Sequence, residues 1–461
     1  MSDITARKRI WGWWFFDWAS QPYNTLILTF IFGPYFASVV TENFISQGME
    51  SGLAKARAQA YWGYGLAISG ILIAILAPIL GAFADGTGKR MPWVWAFSIM
   101  YIFGASMLWY TEPEGFDVTT TLIFFGIGLV GMECATIFTN AMLPTLGTKE
   151  EIGVISGTGW AFGYIGGVLA LAIMLLAFQA GDSGKTMIGI SPAFGLDPEV
   201  KEDTRIVGPL TSLWFVVFMV PFFLWVRERS EPNDVPHSFL KAVKGLSNTL
   251  IKLPTHPSLL AYLSSSMFYR DALNGMYTFG GIYALGVLDW SIMQVGIFGI
   301  VAALTGALFA WVGGKADQTF GPKPLIITCI LILLLTAILV VGLSREAVFG
   351  IPIETTSQLP DVLFFVAGGL IGAGGGALQS ASRTMVVLQS NPERMTEAFG
   401  LYALSGKATT FLAPALIALA SDISGSQRLG VTPLIALFII SLILLIWVKP
   451  TGDPSQWSAS S

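Results

Sequence analysis

Apolar stretches follow one another along the whole chain, each closed by charges, Gly or Pro and long enough for a helix to cross a hydrocarbon core of about 30 Å. They fall at 11–40, 58–83, 91–110, 118–143, 153–179 and 208–226, then at 258–287, 290–313, 323–343, 360–389, 398–420 and 429–448. This pattern predicts an all-α integral membrane protein of twelve transmembrane helices in two pseudo-symmetric six-helix bundles. The bundles span 1–226 and 258–461, the second with a short cytoplasmic tail, and a cytoplasmic linker at 227–257 joins them. The first run follows Arg7, Lys8 and Arg9 but is far longer than the roughly 7–15 residues of a signal-peptide core, so it reads as a span.

Lys and Arg in the short loops set the orientation. With the N-terminus inside, 15 of the 25 fall on inner segments and 7 on outer ones, leaving Arg270, Arg383 and Lys407 within spans. Both termini are therefore expected in the cytoplasm. The one long inner connection carries Pro232, Pro236 and an amphipathic piece near Ser238 to Leu253.

Internal repeats divide the chain in the same place. After span 2 stands GAFADGTGKR, with Gly81, Asp85, Gly88, Lys89 and Arg90. After span 8, 232 positions on, stands GGKADQTFGPK, with Gly313, Asp317, Gly321 and Lys323. Span 1 carries DWASQPY from Asp17 to Tyr23 and span 7 carries DALNGMY from Asp271 to Tyr277, while GVISGTG opens span 5 and GLYALSG opens span 11.

Composition narrows the class further. Hydrophobic residues make up 54% and charged residues 12%, against roughly 25% charged in soluble domains. A formal net charge of −4, with basic residues scattered over short loops, disfavours nucleic acid as a partner. Cys134 and Cys329 both sit in apolar runs and read as small hydrophobes. His237 and His256, in or beside the linker, form no ligand spacing, and no Walker loop occurs, so neither cofactor nor metal is expected.

The Gly-x-x-x-Asp-x-x-Gly-Lys-Arg string, with its weaker copy, looks like the signature loop of the major facilitator superfamily. Within it, WGWWFFDWASQPYNTLILTFIFGPYF in span 1 and GGALQSASRTMVVLQSNPERMTEAFGLYALSGKATTFLAP across spans 10 and 11 resemble the vacuolar-effluxer family known from autophagy-related amino-acid export. The resemblance implies the twelve-helix fold, alternating access, and an Asp in each of spans 1 and 7, here Asp17 and Asp271. Two departures stand out. Tyr164 replaces the Pro of the superfamily's antiporter signature, which removes support for antiport. The loops lack the insertions associated with fungal vacuolar members, which points to a prokaryotic cytoplasmic membrane.

Charged side chains within a bilayer are functional candidates by default. Here they are Asp17, Glu133, Arg270, Asp271, Arg383 and Lys407, three acids and three bases, a balance suited to a zwitterionic substrate. Glu133, near the middle of span 4, is the first candidate for a coupling acid and Asp271 the second; pairing of Asp17 with Arg383 as a helix lock is the structural alternative. Asp17, Gln21 and Asn24 share a face by their spacing, and span 7 repeats the design with Asp271, Asn274 and Thr278. If spans 1, 4, 7 and 10 line the cavity as in the resembled superfamily, Asn140 and Arg383 join them. Tyr23 and Tyr277 either close over a ligand or bond to a neighbouring helix.

Gly81, Asp85, Gly88, Lys89 and Arg90, with Gly313, Asp317, Gly321 and Lys323, read as gating loops. Asp85 is placed to cap a helix or pair with a base. The strings GGLIGAGGG and GYIGG read as packing stripes. The chain is thus expected to be a monomeric secondary transporter of a small polar organic solute, an amino acid or related zwitterion, with proton coupling and membrane lipids as partners. A sugar or organic-acid transporter, or a receptor or lipid scramblase on the same fold, are the alternatives.

Overall fold

The computed structural model describes residues 4–453 apart from 182, 229–238, 291 and 355. Arg229, Pro232, Pro236 and His237 lie outside the described residues. The chain is helical almost throughout. A two-residue hairpin, β1 (Ala347–Val348) with β2 (Ile351–Pro352), closes one loop.

The first half contains α1 (Ala6–Pro22), a π-helical turn (Tyr23–Phe30), α2 (Phe32–Ser46), α3 (Ser51–Thr87), α4 (Met91–Met107), α5 (Val118–Asn140), α6 (Ile152–Ile173), the short α7 (Glu202–Arg205) and α8 (Val207–Trp225). After α9 (Phe239–Lys252), the second half contains α10 (Pro257–Val287), α11 (Ile292–Phe320), α12 (Pro322–Gly342), α13 (Leu359–Gln389), α14 (Met395–Ala408), α15 (Leu412–Ser424), α16 (Gln427–Gly430) and α17 (Pro433–Leu445). Among the described residues, 11 helical runs are long and apolar enough to cross a membrane. The 31-residue α10, diluted by Arg270 and Asp271, completes the twelve.

Three elements depart from simple spans for identifiable reasons. The first span is one helical run of 41 residues, Ala6–Ser46, with the π-helical turn inside it. Pro22 has no N–H to donate to Trp18 four residues back, so the indole of Trp214 donates to the Trp18 carbonyl instead, at 3.1 Å. The eleventh span breaks at residues 409–411. Pro414 cannot donate to the Thr410 carbonyl there, and the helix restarts as α15. The amphipathic piece expected near Ser238 to Leu253 is α9, followed by a single 3₁₀ turn, Leu253–Thr255, before α10.

The chain forms two compact units. One comprises Met1–Ile75, Gly88–Thr139 and Phe162–Pro232; the other comprises Leu76–Thr87, Asn140–Ala161 and Asn233–Ser461. In the first, aromatic rings fill the core: Tyr101 stacks on Phe215 at 4.0 Å, and Trp18 on Trp214 at 5.8 Å. Its glycines set helix approaches. A Cβ at Gly163 would lie 3.3 Å from the Asp17 Cβ, and one at Gly167 would lie 2.9 Å from the Gln21 Cγ, so the GYIGG stripe of α6 seats the polar face of α1. In the second unit, the Gly-rich stripe of α13 packs on α11. A Cβ at Gly376 would stand 3.0 Å from the Gly306 Cα, and one at Gly313 would stand 2.8 Å from the Ala377 Cβ.

Candidate functional site

The break in the eleventh span sets opposite helix ends close together in sequence. α14 ends with Lys407 in its last turn, where a cation complements the negative end of the helix dipole. α15 begins at Leu412, and the buried N–H of Ala413, which has no acceptor within its own first turn, donates to Asp271 Oδ2 of α10 at 2.8 Å. Asp271 is only 1% exposed, and its Oδ1 is buried with no hydrogen-bond partner among the described residues. A carboxylate at the positive end of α15 is stabilised there, but one of its oxygens still lacks a donor.

Arg270 projects from the same helix to a different neighbour. Its Nη1 donates to the Tyr402 carbonyl at 2.7 Å, and the guanidinium carbon lies 4.1 Å from the centre of the Tyr402 ring. Gly406, one turn on, leaves the room: a Cβ there would collide with the guanidinium. Farther along α10, Asn274, Tyr277 and Thr278 are exposed, and the Tyr277 hydroxyl occupies the space a side chain at Gly375 would fill.

Arg383 of α13 is 3% exposed and organises a second polar cluster. Its Nη1 donates to Asn140 Oδ1 at 3.0 Å, its Nη2 to the Ser156 carbonyl at 3.1 Å, and its guanidinium stands 5.0 Å from the Trp160 ring. Ser156 in turn donates from Oγ to the Ser380 carbonyl at 3.0 Å. Charge-assisted bonds of this kind are the stronger ones, and they tie α13 to the end of α5 and the start of α6.

The other polar candidates are distributed as follows. Asp17, Gln21, Asn24 and Glu133 are half-buried. Tyr23 is fully buried, its hydroxyl donating to the Phe125 carbonyl at 2.8 Å and its ring 5.1 Å from that of Tyr101. It bonds a neighbouring helix rather than facing open space.

The two repeated loops pair each acid with the start of another helix. Asp85 Oδ2 accepts from the Glu397 N–H in the first turns of α14 at 2.8 Å. The helices meet closely, since a Cβ at Gly81 would come within 2.6 Å of the Thr396 carbonyl oxygen and one at Gly400 within 2.6 Å of the Pro78 Cα. Asp317, 4% exposed, lies against the first turn of α6, where a Cβ at Gly153 would be 2.7 Å from its carboxyl carbon. Gly88 and Gly321 take positive φ of 67° and 80° in the turns that follow, a conformation open to glycine. Lys89 is exposed, and Lys323 donates to the Val448 carbonyl at 2.7 Å.

The sequence reading missed several partners. Glu228 caps α4, accepting from the Arg90 N–H at 2.8 Å and the Met91 N–H at 3.1 Å. An acid set between Arg227 and Arg229 just after the sixth span was its only signal. Ser156, Tyr402 and Thr249 were also unmarked; Thr249 Oγ1 accepts from Arg394 Nη1 at 2.9 Å, and Arg394 Nη2 pairs with Glu397 at 2.9 Å.

Twelve spans, the first and fifth with a π-helical turn and the eleventh broken, and buried charges at helix ends define a polytopic membrane transporter with the major facilitator fold. The fold matches the proton:xylose symporter XylE bound to 6-bromo-6-deoxy-D-glucose at a TM-score of 0.69 and 10% identity, over 98% of this chain and 99% of that one. The family model described as vacuole effluxer Atg22 like matches residues 5–451, and the chain belongs to that family. An uncharacterized MFS-type transporter of Bacillus subtilis, YxiO, is 25% identical over 96% of both chains. Autophagy-related protein 22-1 of Neosartorya fischeri is 23% identical over 64% of this chain and 48% of its own length. The protein is therefore a multi-pass membrane transporter, and its family and fold are those of transporters rather than enzymes.

Proposed function

We propose that this transporter moves a small polar organic solute, an amino acid or related zwitterion, by alternating access with proton coupling through Asp271 or Glu133. The observation that carries this reading is Asp271, buried at the mouth of a broken helix with one oxygen that has no hydrogen-bond partner among the described residues. That oxygen can be satisfied by a proton or by a substrate ammonium, and the start of α15 favours a substrate carboxylate as readily as that of Asp271. Lys407, at the end of α14, and Arg270, which reaches from α10 onto Tyr402 of α14, supply fixed positive charge on the two spans that meet there.

The Asp85 and Asp317 contacts hold helix ends that must separate when that side of the transporter opens. Releasing them is the gating step of the cycle. The excess of Lys and Arg on one set of loops supports a cytoplasmic location for both termini, and the end-to-end match to the Bacillus relative supports a bacterial-type cytoplasmic membrane.

Purified protein in proteoliposomes tests the substrate directly. Accumulation of a radiolabelled neutral amino acid, driven by an imposed proton gradient and collapsed by a protonophore, is the expected result. Accumulation confined to sugars or dicarboxylates would keep the transporter and discard the zwitterion.

A further inference from the structure

We infer that α9 is a membrane-surface helix that binds the anionic headgroups of the surrounding bilayer and so fastens a clasp across the Asp85–Glu397 contact. Residues 239–252 carry three lysines and no acid, a composition that favours a negative surface. One 3₁₀ turn separates this helix from α10, so it lies at the level where the chain enters the membrane.

Its faces divide the work. One face docks on protein: Leu246 packs with Ala82, Leu259, Leu263 and Leu401, and Thr249 receives the Arg394 guanidinium at 2.9 Å. Gly245 lets that arginine come close, since a Cβ there would stand 3.0 Å from its Nη2. The same Arg394 pairs with Glu397, whose N–H is held by Asp85. The docked face therefore touches α3, α10 and α14 together, which bridges the two helix ends that Asp85 joins.

Among the described residues, the face opposite is left open by the rest of the protein. Val243 is 36% exposed, Leu250 42% and Ile251 73%, on an arc next to the exposed Lys244, with Lys252 also exposed. Bulky aliphatic side chains beside lysines, on a helix attached to a membrane span, suit the boundary between acyl chains and phosphate, where the lysine stems lie along the apolar layer and the ammonium groups reach the headgroups. A soluble polyanion would use the lysines but leave Leu250 and Ile251 in water. The apolar arc is what selects the bilayer. Each lysine at an anionic surface contributes about a fivefold preference at physiological ionic strength, and high salt removes it.

The experiment compares amide hydrogen exchange of the 239–255 segment in full-length protein placed in phosphatidylcholine nanodiscs with and without 30% phosphatidylglycerol. Anionic lipid is expected to slow exchange there, and at the first turn of α14, by about tenfold in 0.1 M salt and much less in 0.5 M salt. The double substitution Lys244→Gln with Lys252→Gln should abolish the difference, and Lys244→Glu with Lys252→Glu should reverse it. Melting of both variants in neutral discs at the wild-type temperature shows that they fold. Equal exchange in the two lipids overturns the proposal. So does full protection in neutral discs from inorganic phosphate alone, because that would make the ligand a free anion rather than the membrane.

Discussion

Asp271 Oδ2 accepts a hydrogen bond from the Ala413 N–H at 2.8 Å, so a side chain of the seventh span caps the second half of the broken eleventh. The carboxyl is thus both a joint between two helices and the most buried acid on its span. Asp271→Asn separates those roles, because the amide oxygen can still cap α15 while the titratable group is gone. Solute counterflow should persist within about threefold, and proton-driven accumulation should vanish; ΔΔG of folding should stay below about 1 kcal/mol. Asp271→Ala, which leaves the Ala413 N–H unmet, should destabilise the protein by about 1–2 kcal/mol. Retained accumulation in the Asn variant would remove Asp271 from coupling and leave Glu133.

Gly81 makes a prediction whose sign is opposite to the usual one. Replacing an interior helical glycine by alanine ordinarily stabilises by up to about 1 kcal/mol. Here the new methyl would meet the Thr396 backbone at 2.6 Å, and backbone does not yield as a flexible side chain does. Gly81→Ala should therefore push α3 from α14, loosening the Asp85 cap. Hydrogen exchange at the start of α14 should quicken by about tenfold, and Asp85→Ala should do the same by removing a cap worth about 1 kcal/mol. Substrate affinity should barely move in either. A tenfold loss of affinity with unchanged exchange would contradict gating.

Much of this architecture was legible before any coordinates. Hydropathy alone places twelve spans with ends within about seven residues of those of their helices, because the bilayer fixes helix length and leaves little freedom. The repeated Asp85 and Asp317 loops were equally visible, since identical residues recur at one offset. Their destinations were not, for Asp85 finds its N–H donor 312 positions away at Glu397. The same limit hid Glu228 beneath α4 and the carbonyls under Arg270 and Arg383. In each of these contacts one partner is a backbone group, and every residue has one, so no residue type announces the pairing. The break at 409–411 was hidden differently. Pro414 gave a local signal, but the surrounding apolar run continues without interruption across it.

Tyr23 offers a check on which polar residues belong to the substrate. Its hydroxyl is satisfied by the Phe125 carbonyl and its ring is buried against Tyr101, so the side chain holds α5 against the first span. Tyr23→Phe should lower stability by about 1 kcal/mol, seen as a modest fall in melting temperature in detergent. KM for the transported solute should remain within about twofold. A large rise in KM without loss of stability would show that the hydroxyl meets substrate.

Arg383 holds Asn140 Oδ1 and the Ser156 carbonyl with the two arms of one planar fork, and that geometry is beyond a lysine. Arg383→Lys keeps the charge but loses the two fixed, parallel arms, so it should destabilise by about 2 kcal/mol, near the value for a buried charge-assisted bond. Asn140→Ala alone should be milder, because the arginine keeps Ser156. In the double variant the losses should fall short of additivity by about 1 kcal/mol, the mark of a shared interaction. Strict additivity in this cycle would mean that the bond between Arg383 and Asn140 contributes nothing, and the cluster would then owe its order to the packing of Arg383 beside Trp160.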